Sequence, residues 1–194
     1  TEEEIKQINH AVDVSVDMHV AGMKYAKPGM TEAQVTAEIH KIALAAGGNI
    51  SFPIIATING QTLHNHYHGN TINEGDLFLI DAGHENPMSY SGDLSSTIPV
   101  SKKFTAAQRE IYQITLDSHN AAIAALELGK PFKNAHIAAC TTIFDGLKEI
   151  GLTKGHAMDA FEAGAHALFF PCGTGHMMGF DVHDMEDLGE QYVG

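Results

Sequence analysis

Apolar residues recur at helical spacing over the first two dozen positions: Ile5, Ile8, Val12, Val16, Val20 and Met23 fall near one stripe, which Lys27-Pro28-Gly29 ends. Thr1 and Glu4 occupy the reciprocal positions of a capping box, so a long amphipathic helix is expected there. Thr31 and Gln34 repeat the signature ahead of Val35, Ile39 and Ile42, and Gly47-Gly48 closes the second helix. The period then changes. A strand is expected over Ile50 to Ile58, then an apolar run Leu77-Phe78-Leu79-Ile80 ending in Asp81, then a strand from Asp93 to Val100. The intervening 84–92 carries Asn86-Pro87, Ser89 and Gly92, turn residues enough for a hairpin. Thr105 opens another long helix through Ile111, Ile114, Ile123 and Leu126 to Gly129. Asn134 is expected to cap a shorter helix ending near Gly151, and an apolar segment, Ala167-Leu168-Phe169-Phe170, follows.

Long helix, Lys27-Pro28, second helix and Gly47 are echoed by long helix, Lys130-Pro131, second helix and Gly151, an offset of 103 (131 minus 28). This is either an internal pseudo-repeat or the ordinary use of Pro and Gly to punctuate an α+β chain, and the pattern supports both equally. The chain's 194 residues are enough for one substantial core, so a single domain is the expectation.

Charge narrows the partners. A net charge of -13 with only 11 Lys plus Arg argues against nucleic acid or an anionic membrane surface. No apolar run approaches membrane-spanning length, and Thr1-Glu2-Glu3-Glu4 is acidic where a signal peptide would be basic. Cys140 and Cys172 lie far apart without metal-type or disulfide-rich spacing, which favours a reducing compartment, and a cytoplasmic location is expected.

The chemistry centres on Asp81 and Asp93. A carboxylate at the end of a buried strand is costly unless a cation meets it, and a bound divalent ion is the expected compensation. Side chains alternate faces along a strand, so the loop at Asn86-Pro87 must set the register that places both carboxylates on one side. Carboxylates with a histidine suit manganese, iron or cobalt better than a thiolate-type zinc site. His64, His66 and His68 alternate as well and would share a face if extended, an adventitious zinc strip that is the weaker reading. His10, His19, His40, His119 and His136 fall in helical patterns and are read as surface or boundary residues.

The order His66-Tyr67-His68-Gly69-Asn70, Glu74-Gly75-Asp76, Ile80-Asp81-Ala82-Gly83, Gly92-Asp93, Phe169-Phe170-Pro171, Gly175-His176 and Asp181-Val182-His183-Asp184 resembles the aminopeptidase P, prolidase and methionine aminopeptidase family. The proline-specific branch is the nearest match, and the likeness covers nearly the whole chain. It implies an α+β pita-bread catalytic domain, incomplete at its carboxyl-terminal end, with residues 1–194 as a partial domain lacking an amino-terminal one. It implies Asp81 and Asp93 as ligands of two divalent ions, with Asp93 bridging, and His176 as a further ligand. Manganese is the first choice of metal, with cobalt, iron or zinc as alternatives. His66 and His183 correspond to the two substrate-facing catalytic histidines. The implied reaction removes the residue before proline, as an Xaa-Pro aminopeptidase or dipeptidase, on a peptide with proline at its second position. An inactive binding module and a methionine aminopeptidase or creatinase-type hydrolase are the alternatives.

Two departures qualify the likeness. The family completes its centre with two glutamates further downstream. Glu186 and Glu190 follow His183 too closely to be these, so the chain alone is expected to hold metal weakly and to be inactive. Cys172 stands where the proline-specific members have a histidine, and the Asp81 to Asp93 spacing (93 minus 81, or 12) is one residue longer than theirs. Strand edges left unpaired would favour aggregation or a homodimer.

Overall fold

The Thr1 side chain accepts from the Glu4 amide and Glu4 reaches back to the cap, so the expected capping box forms and α1 runs over Glu2–Tyr25. The molecule is a computed structural model describing residues 1–185, and they divide into two compact units: 1–103 with the segment from His176 onward, and 104–175.

In the first unit α1 buries a different face from the one its apolar stripe predicts. Ala11, Ser15, Met18, Ala21 and Gly22 are buried, whereas Ile5, Val16, Val20 and Met23 are exposed. Close approach explains this. A β-carbon at Gly22 would stand 2.6 Å from Ile80 Cδ1, so the helix comes nearest the sheet where its side chains are smallest. The second helix, α2 (Glu32–Ala45), has the predicted Thr31–Gln34 capping box and buries Val35, Ile39 and Ala43.

The strand expected over 50–58 is split into β1 (Asn49–Ile50) and β2 (Ile55–Thr57). Pro53 lies between them, and without an N–H it cannot continue a ladder. Next come β3 (Leu77–Ala82), β4 (His84–Glu85) and β5 (Leu94–Pro99). Strands β2, β3 and β5 form an antiparallel sheet with β3 central, and β1 pairs with β4. Along β3 burial alternates. Phe78, Ile80 and Ala82 are fully buried among Met18, Val35, Ile39 and Ile72, while Leu77, Leu79 and Asp81 are half-buried on the other face. Helices thus cover one face of the sheet, and Asp81 belongs to the opposite one.

The second unit packs α3 (Ala106–Ala124) on α4 (Lys133–Glu149) through small residues: Ser118 and Ala122 meet Ala135 and Ala139, and Ser118 Oγ donates to Ala139 O at 3.1 Å. Thr105 caps α3 as expected, and Gln108 reaches back to complete a capping box. Asn134 does not cap α4. Phe132 occupies that position without a side-chain bond, and the amides of Asn134 and Ala135 are taken by the carbonyls of Pro131 and Phe132. A short α5 (Ala157–Glu162) leads to a 3-10 turn, Ala165–Leu168, over the first part of the apolar segment. Each unit therefore opens on a capping-box helix followed by a second helix packed against it, which is as far as the sequence echo extends among the described residues. No described helix is long and apolar enough to cross a membrane.

Gly92 tests the close approach of α1. A β-carbon there would lie 2.5 Å from Ser15 Oγ and 2.8 Å from Ala11 O, so Gly92→Ala is expected to lower unfolding free energy in urea by about 1–3 kcal/mol. Gly173→Ala, which meets nothing within 4 Å, should stay within about 0.5 kcal/mol of the parent.

Candidate metal centre

Register builds the site. Asp81 pairs with Ser95 on β5, and the pairing continues beyond the strands: Gly92 N donates to His84 O at 2.9 Å, and Glu85 bridges Ser91. Asp93, two residues before Ser95, therefore shares a face with Asp81. Neither Gly83 nor Gly92 has room for a side chain, since a β-carbon on Gly83 would collide with Gly92 O. The Asn86 side chain ties the tip, accepting from Met88 N at 2.9 Å and Tyr90 N at 3.0 Å. The loop thus does what the sequence requires of it.

Burial, and then the Asp93 charge, push the Asp81 carboxyl above its ordinary range; a bond from Ser95 and the charges of His19 and His64 oppose them. His176 reaches the same place. Its Nε2 lies 3.0 Å from Asp93 Oδ2 and its Nδ1 2.9 Å from Met177 O, with about three-quarters of both side chains covered (23% and 22% exposed). The His183 ring stacks on it at 3.8 Å and 14°. The 176–185 segment is fastened to the hairpin tip by Ser91 N donating to Gly179 O at 2.8 Å and by Tyr90 against Phe180, with ring centroids 4.6 Å apart.

Both ring nitrogens of His176 face oxygen acceptors, and a neutral imidazole has one N–H to offer. Nε2 and the Asp93 carboxylate meet at hydrogen-bond distance, and imidazole nitrogen and carboxylate oxygen are also the donors that a shared divalent ion takes. The donor set fits a divalent ion. Among the described residues the one group with three ligand atoms within 4.8 Å of each other is His136, Cys140 and His166.

His66 stands exposed in the connection before β3. The structure brings Asp81, Asp93, His176 and His183 together and leaves His66 on this loop. The loop is anchored by Glu32, a residue the sequence pattern marks only as a first-turn acid. Its fully buried carboxylate accepts from Thr57 Oγ1 (2.9 Å), Ile58 N (2.8 Å), Asn70 N (3.2 Å) and Asn70 Nδ2 (2.9 Å). Ala33 N also donates to His68 O, and His68 Nε2 meets Ile54 O at 3.0 Å. His64 takes a left-handed φ of 50°, which breaks the alternation a shared zinc strip would need.

Two helix histidines read as surface or boundary residues are otherwise engaged. His19 is buried, with Nδ1 2.7 Å from Ser96 Oγ and Nε2 3.1 Å from Ala82 O. His136 is half-buried beside Cys140. The only sequence signal for the latter pair was their four-residue spacing on one helix. Cys172 is exposed, and Glu186 and Glu190 lie outside the described residues.

Two aspartates on one face of an antiparallel sheet, with helices on the other, meet a histidine from the 176–185 segment, a donor set of the carboxylate-and-imidazole kind. The sequence profile of metallopeptidase family M24 matches residues 6–193, and the chain belongs to that family. It is 34% identical over 193 residues to the Xaa-Pro aminopeptidase of Escherichia coli (strain K12), covering 97% of this chain and 43% of that relative. The Xaa-Pro aminopeptidase of Haemophilus influenzae is 33% identical over 96% of this chain and 44% of its own length. Among solved structures, zinc-substituted E. coli aminopeptidase P in complex with product superposes with a TM-score of 0.91 at 34% identity, over 98% of this chain and 44% of that one. A glutamate-to-alanine variant of the same enzyme in complex with substrate gives 0.89 at 34% identity, over 95% and 42%. The fold is accordingly the pita-bread α+β domain, and the chain spans less than half the length of these relatives.

Glu32→Ala removes the acceptor of one buried and three partly buried donors and is expected to cost about 3 kcal/mol, read by chemical denaturation. Asp81→Asn removes a like charge from the metal-free sheet and should raise stability at pH 7 by about 0.2–1 kcal/mol, while abolishing any stabilisation by added manganese in the same thermal melt.

Proposed function

We propose that the protein is a metal-dependent exopeptidase that cleaves the bond before a proline, as an Xaa-Pro aminopeptidase or dipeptidase. The observation that carries this reading is the pair Asp81 and Asp93 on one sheet face, with His176 against Asp93, in an M24 chain whose relatives include Xaa-Pro aminopeptidases. Asp81 and Asp93 would hold a pair of divalent ions, with Asp93 shared between them and His176 on one. Manganese suits these oxygen-rich donors first, and cobalt, iron or zinc are accommodated by the same set. When bound, such ions supply Lewis-acid polarisation of the scissile carbonyl and a nucleophilic water at neutral pH.

The chain's own residues then do three things. Asp81 and Asp93, held by the paired strands, fix the donors in one plane before substrate arrives. His183, stacked on His176, presents an imidazole beside the reacting carbonyl and can hold or pass a proton there. His66, exposed on the loop that Glu32 anchors, can hydrogen-bond the substrate from the loop side. Cys172 cannot serve as an imidazole does, so preference for the residue around proline is expected to differ from that of relatives with histidine there.

In the full-length protein Asp93→Asn is expected to lower manganese-dependent Xaa-Pro hydrolysis more than about 100-fold, beyond the 10–100-fold typical of residues that only support a ligand. Circular dichroism should be unchanged. Metal-dependent turnover surviving in that variant overturns the assignment of Asp93. A parent protein that binds no manganese by calorimetry would favour a binding module with the same fold.

A further inference from the structure

A second donor set lies in the other unit, built from residues that the carboxylate centre does not use. His136 and Cys140 stand four residues apart on one face of α4, and His166 reaches the same spot from the 3-10 turn; their ligand atoms all lie within 4.8 Å of one another. Cys140 Sγ is 3.5 Å from His136 Nε2. Two donors of a tetrahedral zinc ion, at bond lengths of about 2.0–2.3 Å, sit roughly that far apart.

The ring orientations agree. Thr174 Oγ1 lies 2.9 Å from His136 Nδ1, and an N–H donated there leaves the Nε2 lone pair turned toward Cys140. His166 Nδ1 is buried and meets no hydrogen-bond partner among the described residues. A buried polar atom left so is costly, which ordinary core packing does not explain. Aromatic rings wall the spot: Phe161 stacks on His166 at 4.6 Å and Phe170 on His136 at 5.8 Å. Two imidazoles and a thiol therefore converge in a partly enclosed place.

We propose that His136, Cys140 and His166 bind one zinc ion, with water in the fourth position, fastening the 3-10 turn to α4. A thiolate with two imidazoles selects zinc over manganese or magnesium, the reverse of an aspartate set. Burial raises the Cys140 thiol, so the metal-free site holds Cys140–SH. Binding forms the Zn–S bond, breaks the S–H bond and releases one proton to solvent for each ion bound.

Cobalt is the probe, because a sulfur-to-cobalt charge-transfer absorption arises only where a thiolate is a ligand, and the Asp81–Asp93–His176 set contains none. Titrating the metal-free protein with cobalt should produce that band, saturating at one ion per chain, and zinc should displace it with the band lost. Cys140→Ser should abolish the band, His166→Gln should weaken cobalt binding there by more than about 10-fold, and Cys172→Ser should leave both unchanged. Absence of the band in the parent, its survival in Cys140→Ser, or its loss in Cys172→Ser overturns the proposal. Should Cys140→Ser not fold by circular dichroism, the parent, His166→Gln and Cys172→Ser titrations decide alone: an unweakened band in His166→Gln then overturns it.

Discussion

The contact of the two glycines Gly83 and Gly92 is the constraint on which the first unit turns. The β3–β5 pairing passes through it without a change of register, from Leu77 opposite Pro99 to Glu85 opposite Ser91. A slip of one residue would send Asp81 or Asp93 to the helix-covered face, where Phe78, Ile80 and Ala82 leave no room for a charge. The same contact allows α1 to lie close, since Gly92 sits under Ala11 and Ser15. Ser15 Oγ in turn accepts from His84 N at 2.9 Å and donates to Ala11 O at 2.7 Å, so the helix and the hairpin tip are joined by hydrogen bonds as well as by shape. Placement of the carboxylates and packing of the first helix are thus one structural decision.

A second constraint acts on the loop side. The Glu32 carboxyl is fully buried, and it is tolerated because four donors surround it. Three of the four come from segments flanking β2, or from Asn70, within the connection that carries His66. The arrangement makes the start of α2 an anchor for an otherwise irregular stretch, and it explains why a loop with an exposed histidine keeps a defined path.

Much of this was legible in the sequence because it depends on local rules. The Thr1–Glu4 and Thr31–Gln34 capping boxes form where the spacing places them, Thr105 opens its helix, and the Asn86-Pro87 turn sets the hairpin as its chemistry requires. What was not legible depends on distance between backbones. The α1 stripe misleads because apolar periodicity reports which side chains prefer burial, whereas the buried face was chosen by which side chains are small enough for close approach. His19 was read as peripheral for the same reason: its two partners are 77 and 63 residues away in sequence. His166 gave no signal at all, since nothing in a Gly164-Ala165-His166 stretch marks a ring that folds back onto a helix.

The two donor sets differ in a way that bears on how a single chain can hold unlike ions. The Asp93 charge disfavours ionisation of Asp81, and the paired strands hold both carboxyls on one face, an oxygen-donor set that suits a hard ion. His136, Cys140 and His166 carry no fixed negative charge when metal-free, and aromatic rings surround them. A hard, strongly hydrated ion gains little there, because the site offers no carboxylate oxygen to replace its water shell. A borderline ion gains a thiolate by displacing a proton, and so its occupancy rises with pH. Selectivity between the sites therefore follows from donor chemistry alone and requires no difference in their size.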